Sequence, residues 1–279
     1  MRVFLQFIRD ITIFNDPKRL IIPNHVNLMY LAKSFKFKGK KHYNVGDYLS
    51  KVVFDFLLEY KGIESYKCKN TVRISFIGSV IQFLGSKTVV YGSGFLFRWA
   101  APRFAEKKVV LDIRAVRGPL TKQLLEELGY SVPNVFGDPA ILLPMFYKPT
   151  KKNVLNKYIV IPHVSKIEEY SNCSYICLST LTTDWKKFID TICSSEIVIS
   201  SSLHGIIIAE AYGVPAIFLD DTENNDQLKY EDYYISTGRP NFKKVQSIEE
   251  AFNVEPESIP NFEEMRKGLL DAFPVDLFE

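Results

Sequence analysis

The sequence predicts an α/β protein of two domains. Short apolar runs typical of strands alternate with amphipathic helical segments, and most runs end in glycine-containing turns. A chain of 279 residues that is 47% hydrophobic can bury one large core or two ordinary ones. A polar stretch, KPTKKNVLNK, divides the elements into two series. We therefore predict an N-terminal domain at 1–147, a linker at 148–157, a C-terminal domain at 158–255 and, within 256–279, a terminal helix that packs back on the N-terminal domain.

Composition argues against several classes of protein. The net charge of +3 is too small to indicate nucleic-acid binding, and the sequence carries no helix-turn-helix, zinc-finger or RNA-binding signature. No segment approaches the roughly 20 uninterrupted apolar residues that span a bilayer. The cysteines lack the paired spacing of a metal site, which favours reduced thiols in a cytoplasmic protein without zinc. These cysteines are Cys68, Cys173, Cys177 and Cys193.

The basic stretch that begins at Lys33, KSFKFKGKKH, interleaves lysines with two phenylalanines. Such a pattern can lie on an anionic membrane surface, and it is also typical of a solvated loop or an edge strand. The apolar residues within 1–41 do not recur at one clear helical or strand spacing, so we assign no helix or strand to this region.

The first clear helix opens at the sequence Asn-Val-Gly-Asp and ends near Gly62. Asn44 and Gly46 are candidate ligand contacts, since glycine lets the backbone turn closely there. Asp47 can cap the helix or serve as a carboxylate of the site. The apolar residues that recur at helical spacing are Leu49, Val52, Val53, Phe56 and Leu57.

Two predicted strands of the N-terminal domain end in turns that suit a ligand. The strand Thr88–Tyr91 runs into Gly-Ser-Gly, where Ser93 and Gly94 allow close approach to a ligand, although such a sequence is often only a tight turn. The strand Val132–Phe136 runs into Gly-Asp-Pro-Ala, where Asp138 is either a helix cap or a carboxylate of the site.

Two arginines follow the predicted strand Val109–Ile113. Arg114 and Arg117 precede a helix that ends at Gly129, and their guanidinium groups offer planar forks for a carboxylate or a phosphate. A surface arginine beside a helix start is electrostatically unfavourable, which favours a functional role for Arg117.

The C-terminal domain begins with the predicted strand Tyr158–Pro162, which places His163 at its end. A strand at Ser174–Leu178 and a helix near Asp184–Cys193 follow.

From residue 220 to 241 the chain is polar and predicted to be loop-like, with Arg239 as either an anion contact or a plain surface charge. Residues 262–273 are predicted to form the terminal helix.

The most informative stretch is a predicted strand-helix-strand unit. Its strands are Ile197–Ile199 and Ala216–Leu219. If they are parallel, the turn with Ser201, Ser202 and His204 lies at the carboxyl edge of the sheet, beside the N–H groups of a helix start. That corner attracts anions, and a histidine there can donate a hydrogen bond, carry charge or move a proton. The alternative is a packed unit whose serines only cap the helix.

Taken together, these motifs resemble those of the polysaccharide pyruvyl transferase family. The resemblance covers about residues 40–220, and Ser-x-Leu-His-Gly followed by an apolar helix is its most specific part. The motifs that carry it are Asn44–Asp47, Gly92–Gly94, Arg117–Gly118, Gly137–Ala140 and Ser201–Gly205.

The resemblance implies a cytoplasmic bacterial enzyme without a metal or other cofactor. Such an enzyme transfers pyruvate from phosphoenolpyruvate to a hexose, often galactose or N-acetylmannosamine, as a 4,6-ketal and releases phosphate. It also implies two Rossmann-like domains facing across a cleft, as in glycosyltransferases of type B, with the acceptor on the N-terminal side and the donor on the C-terminal side. In bacteria the acceptor is commonly linked to a lipid such as a polyprenyl diphosphate, and the basic stretch could bring the enzyme to the anionic surface of the inner membrane where that lipid lies.

Ketal formation needs a general acid and a general base. We predict His204 as the acid, with His163 second, and Asp47 or Asp138 as the base unless these carboxylates only cap helices. The resemblance implies that Arg117 and His204 hold the donor. The full set of predicted substrate contacts is Arg117, Ser201, Ser202, Gly205, His163, Asn44, Gly46, Ser93, Gly94, Arg114 and Arg239.

Two alternatives remain at this point. One is a type B glycosyltransferase that uses a nucleotide sugar in the same cleft, although no strong acidic pair for a ribose follows the strand-helix-strand unit. The other is a non-catalytic protein that binds an anion in the cleft.

Overall fold

The computed structural model describes residues 21–30, 35–37, 40–150, 154–172, 174–222 and 226–278. Its strands are β1 (Val26–Met29), β2 (Phe35–Phe37), β3 (Lys40–His42), β4 (Val72–Ser75), β5 (Thr88–Tyr91), β6 (Leu111–Ala115), β7 (Asn156–Ile161), β8 (Ser195–Ser200), β9 (Ala216–Leu219) and β10 (Lys244–Val245). Its helices are α1 (Val45–Tyr60), α2 (Ala100–Ala105), α3 (Pro119–Glu127), α4 (Leu143–Phe146), α5 (Trp185–Ile192), α6 (Leu203–Ala211), α7 (Leu228–Ser236), α8 (Ile248–Ala251) and α9 (Glu263–Ala272).

The fold is mixed α/β with two parallel four-stranded sheets, which confirms the predicted class. The N-terminal half, up to α4, holds the sheet β1-β4-β5-β6, and the C-terminal half, from β7, holds the sheet β10-β9-β8-β7. One central strand of each sheet, β5 and β9, is buried along its whole length, as expected for parallel sheets covered by helices on both faces. One continuous core joins residues of the two halves.

Two predicted strands are reduced to single bridges. The segment 132–136 pairs with its neighbour only at Val116 and Phe136, and the segment 174–178 pairs only at Val160 and Cys177. Both lie beside the outermost strand of a sheet, where a segment gains partners on one side only, so their apolar residues pack without forming a ladder.

The prediction of a loop from 220 to 241 is wrong for its central part, which forms α7. The buried face of α7 consists mainly of tyrosine rings, and these count as polar in a hydropathy pattern although they bury large apolar surfaces. Tyr230, for example, stacks on Phe218 of β9 with ring centroids 4.2 Å apart.

The terminal helix α9 contacts both halves. Leu269 accepts a hydrogen bond of 2.5 Å from the Tyr91 hydroxyl of β5. Arg266 donates to the carbonyl oxygen of Ile141 at 2.9 Å and to that of Ala211 in α6 at 3.0 Å. The helix therefore joins the first sheet to the second half of the chain.

Strands β2 and β3 form an antiparallel hairpin within the predicted basic stretch. The beginning of that stretch and all of residues 1–20 lie outside the described residues, so the membrane contact stays a prediction. Within the described parts of the chain, no helix is long and apolar enough to cross a membrane.

Candidate active site

A cleft of about 340 Å³ lies where the carboxyl ends of strands from the two sheets face each other. The N-terminal half contributes the start of α1, the turn after β4 and the loop before α2. The C-terminal half contributes the turn after β7 and the first turns of α6 and α7. The residues that line the cleft are Asn44, Asp47, Gly78, Ser79, Val80, Phe83, Leu96, Phe97, His163, Val164, Ser202, Leu203, His204 and Lys229.

His204 and Asp138 form a pair across the two halves. Nε2 of His204 lies 3.4 Å from Oδ2 of Asp138, and neither atom has a hydrogen-bond partner among the described residues. Oδ1 of Asp138 accepts a hydrogen bond from the Ala140 N–H at 2.9 Å. One oxygen of this carboxylate therefore caps a short 3₁₀ turn, while the other faces His204. A small rotation of the ring would close the hydrogen bond, and catalytic bonds are often long before substrate binds.

The imidazole of His204 packs against the start of α1. A Cβ atom at Gly46 would overlap the ring at Nδ1. The Gly46 N–H donates to Oδ1 of Asn44 at 2.9 Å, which makes Asn44 the N-cap of α1. The Asn-Val-Gly-Asp motif therefore caps a helix, leaves space for the histidine ring and presents Asp47 to the cleft.

Gly46→Ala is expected to lower kcat by about a hundredfold, because the added methyl group displaces the ring of His204 by a fraction of its width. The overlap is expected to lower the free energy of unfolding by about 1–3 kcal/mol, less the roughly 1 kcal/mol that alanine gains over glycine in a helix. Steady-state kinetics and chemical denaturation measure the two effects. Gly268→Ala, within α9, is the control for glycine replacement, because a Cβ there would make only an ordinary contact of 3.6 Å with Val135 Cγ1. An active Gly46→Ala enzyme would show that the position of the ring is not critical.

The titratable groups of the cleft have shifted pKa values. Burial raises the pKa of Asp47 to about 7, against the opposing influence of His204 and Lys229. Burial, followed by the positive charge of Arg117, lowers the pKa of Lys229 to about 8. Burial and the charge of Lys229 lower the pKa of His163 to about 3, so His163 is neutral near pH 7. Asp47 and Lys229 therefore change charge near neutral pH.

The three serines at the end of β8 and directly after it have different functions. Ser200 Oγ accepts from the Ser202 N–H at 3.0 Å, and Ser201 Oγ accepts from the His163 N–H at 2.8 Å. Ser202 is the N-cap residue of α6 by position, but its side chain makes no capping hydrogen bond and lines the cleft. Gly205 is needed for packing, because a Cβ there would overlap Ser200 Oγ. Helix capping alone therefore does not explain this turn.

A family model for polysaccharide pyruvyl transferases matches residues 44–223, which include the motifs that build the cleft. The chain belongs to the polysaccharide pyruvyl transferase family. It is therefore a pyruvyl transferase of polysaccharide biosynthesis, and the family supports this reading over the glycosyltransferase alternative.

Two relatives of this pyruvyl transferase are similar over most of their length. The succinoglycan biosynthesis protein ExoV of Rhizobium meliloti (strain 1021) is 30% identical over 76% of this chain and 68% of its own. An uncharacterized protein, L143 of Acanthamoeba polyphaga mimivirus, is 28% identical over 75% of this chain and 76% of its own. No solved structure matches the chain.

Arg117 of the pyruvyl transferase lies behind the wall of the cleft and is 1% exposed. Its Nε donates to Asp232 at 3.1 Å, Nη1 to Ser79 Oγ at 2.6 Å and Nη2 to the Phe95 carbonyl oxygen at 2.8 Å. Ser79 lines the cleft, so Arg117 reaches the site through that hydroxyl.

Arg117 lies just before the start of α3, where a positive charge is unfavourable, and Asp232 of α7 offsets that charge. Oδ1 of Asp232 accepts from the N–H groups of Leu120 and Thr121 at 2.9 and 3.0 Å, and its Oδ2 accepts from Thr121 Oγ1 at 2.6 Å. The same carboxylate pairs with Arg117. Asp232 therefore caps α3 and neutralises the arginine, and no sequence pattern linked these segments.

The structure does not bring Arg114 or Arg239 to the cleft. Arg114 pairs with Asp112 and Asp276, and Arg239 forms a two-point pair with the buried Glu210 at 2.6 and 2.7 Å. Both guanidinium groups therefore have structural partners in this state.

Ser93 and Gly94 also lie behind the cleft. Ser93 is fully buried, with Oγ 2.7 Å from that of Ser75. A Cβ at Gly94 would lie 2.5 Å from the guanidinium carbon of Arg117, so this glycine makes room for that side chain.

Sequence reasoning missed Lys229, because the segment that contains it was predicted to be a loop. The signal that could have found it is the i, i+3, i+4 spacing of Tyr230, Tyr233 and Tyr234, which is helical when tyrosine is counted as apolar. The described residues contain no group of three or more side chains arranged to hold a metal ion. Cys68 and Cys193 are free thiols, and Cys173 lies outside the described residues.

Proposed function

We propose that the enzyme transfers pyruvate from phosphoenolpyruvate to a hexose, with galactose as the first candidate, as a 4,6-ketal. The observation that carries this proposal is the set of groups that converge on the cleft. Lys229, His204, Ser202 and the first N–H groups of α6 can bind a carboxylate and a phosphate. Asp47 beside them can accept a proton. Arg117 acts on the donor through Ser79.

In the proposed reaction, the 4- or 6-hydroxyl of the sugar attacks C2 of phosphoenolpyruvate while C3 receives a proton. The π electrons between C2 and C3 form the new C3–H bond, so C2 becomes saturated and C3 becomes the methyl group of the pyruvate ketal. Phosphate then leaves C2, and the second hydroxyl attacks the resulting oxocarbenium centre. One proton is taken from each hydroxyl, one proton is delivered to C3, and the other leaves with the phosphate, so the products are the ketal and inorganic phosphate.

We assign the proton delivery to His204 and the proton removal to Asp47. The carboxylate of Asp138 faces Nε2 of His204 and orients the ring. A base with a pKa of about 7 is well matched to work near neutral pH. His163 is neutral at this pH, which suits a hydrogen-bond donor to substrate better than a general acid.

Phosphate release and mass analysis of the acceptor test this function. The purified enzyme with phosphoenolpyruvate and a β-galactoside should release phosphate only when the acceptor is present. The acceptor should gain the mass of pyruvic acid less one water. Turnover of a nucleotide sugar, with none of phosphoenolpyruvate, would overturn the proposal.

The pH profile of kcat/KM for phosphoenolpyruvate is expected to peak between about 7 and 8. Below this range Asp47, whose pKa is about 7, gains a proton and no longer acts as a base. Above it Lys229, whose pKa is about 8, loses the charge that attracts the donor. Lys229→Arg should move the alkaline limb to higher pH, because arginine stays charged. Lys229→Met should raise KM for phosphoenolpyruvate and flatten that limb.

An alkaline limb that is the same in the wild type and in both Lys229 variants would show that another group controls it. Lys186→Met serves as the control for loss of a lysine, since Lys186 lies on α5 beside Trp185 and does not line the cleft.

For the wider context, we propose two Rossmann-like domains arranged as in type B glycosyltransferases and an acceptor linked to a polyprenyl diphosphate. The facing carboxyl edges of two parallel sheets support the first point. The basic residues around the β2-β3 hairpin support a cytoplasmic enzyme that contacts the anionic face of the inner membrane. Flotation with anionic liposomes at low and high salt tests the membrane contact, and absence of binding at low salt would contradict it.

A further inference from the structure

An aromatic surface continues outward from the cleft on the N-terminal side. Leu96 and Phe97 line the cleft, and Trp99 follows them in the loop before α2. The rings of Phe97 and Trp99 are stacked, with centroids 5.3 Å apart and an interplanar angle of 15°. Trp99 is 54% exposed. We call Leu96, Phe97 and Trp99 the aromatic strip. A half-exposed tryptophan ring that continues from a cleft offers a surface on which a ligand can pack.

The aromatic strip is held in place from both sides. The Arg98 N–H donates to Oδ2 of Asp226 at 2.6 Å, and the Arg98 guanidinium pairs with Asp226 and with Glu231 of α7. The guanidinium of Arg103 lies 4.9 Å from the centre of the Trp99 ring. The loop is therefore fixed against α7, the helix that carries Lys229. A surface ordered before binding loses less conformational entropy when a ligand arrives.

We propose that the aromatic strip is the acceptor subsite, where the apolar face of a galactopyranose ring packs against Phe97 and against the part of the Trp99 ring that Phe97 and Arg103 leave exposed. This inference rests on the proposed function. The C–H groups at C3, C4 and C5 of galactose lie on one face of the sugar and carry partial positive charge, which suits the negative face of an aromatic ring. This orientation leaves the hydroxyls at C4 and C6 uncovered, and Phe97 lines the same cleft as Lys229 and His204.

Kinetics with both substrates varied test the subsite. Trp99→Ala and Phe97→Ala are each expected to raise KM for methyl β-galactoside about tenfold, with KM for phosphoenolpyruvate nearly unchanged. Trp99→Tyr and Phe97→Tyr should restore most of the binding. Tyr60→Ala is the matched control, since Tyr60 is an aromatic residue with 55% exposure on the far end of α1. An unchanged KM for the galactoside in both alanine variants overturns the proposal.

Fluorescence gives a readout that does not require turnover. The chain has two tryptophans, so Trp185→Phe leaves Trp99 as the only one. Titration of this variant with methyl β-galactoside, without donor, should change the emission of Trp99 with saturation. If phosphoenolpyruvate proves not to be the donor, a saturable change still supports the subsite and only the proposed donor fails. An emission that does not respond, in an enzyme that does turn over the galactoside, counts against the subsite.

Discussion

His204→Gln is expected to lower kcat by about 10²–10⁴, the usual contribution of a general acid. Glutamine can still hydrogen-bond near Asp138 and fill much of the space beside Gly46, but it cannot deliver a proton at neutral pH. The free energy of unfolding should fall by no more than about 1 kcal/mol, since no hydrogen bond of the ring at Nε2 is lost. Steady-state kinetics of phosphate release and chemical denaturation measure these effects.

His25→Gln is the matched control, because His25 is bonded to the Pro23 carbonyl oxygen just before β1, at the edge of the sheet away from the cleft. Asp138→Asn should show a smaller loss than His204→Gln, since the amide orients the ring without supplying charge. A His204→Gln enzyme that keeps most of its kcat would overturn the assignment of proton delivery to this residue.

Asp232→Ala is expected to destabilise the protein by about 3–5 kcal/mol, the usual cost of leaving a buried partner charge alone. The side chains of Arg117 and Asp232 are 1% and 0% exposed, so water cannot replace the lost partner. The helix start of α3 loses its cap in the same variant. Urea denaturation followed by circular dichroism gives the change in the free energy of unfolding.

Glu231→Gln is the control on the neighbouring residue of α7. The ion pair between Glu231 and Arg98 is partly exposed, so Glu231→Gln is expected to lower the free energy of unfolding by less than about 1 kcal/mol. The double variant Arg117→Met with Asp232→Leu should recover part of the stability lost in Asp232→Ala, because neither charge then remains buried. If Asp232→Ala and Glu231→Gln lowered the free energy of unfolding equally, the buried pair of Arg117 and Asp232 would not be what holds α7 in place.

The structure adds a functional reason to expect a large effect at Asp232. Lys229 and Asp232 lie on the same helix, three residues apart, so the pair with Arg117 fixes the helix that brings Lys229 into the cleft. Loss of this anchor is therefore expected to raise KM for the donor as well as to destabilise the fold.

Much of the local structure could be predicted from periodicity and turns. The central strands β5 and β8, the helices α1 and α6 and the turn at Asp138 follow from apolar runs that end in glycine, serine or proline. The edge segments 132–136 and 174–178 could not be predicted as single bridges, because an apolar run looks the same whether or not a neighbouring strand continues beside it.

The sequence by itself determined the α/β class, the family and the location of Ser202 and His204 at a carboxyl edge, because these depend on local pattern and on motifs in order. Only the tertiary structure decided which cation faces the cleft. Arg117 is buried and paired with Asp232, a residue 115 positions away in the chain. Lys229 lines the cleft on a helix whose buried face consists mainly of tyrosine rings. The burial and pairing of a charge depend on neighbours that are distant in the chain, and hydropathy does not record them.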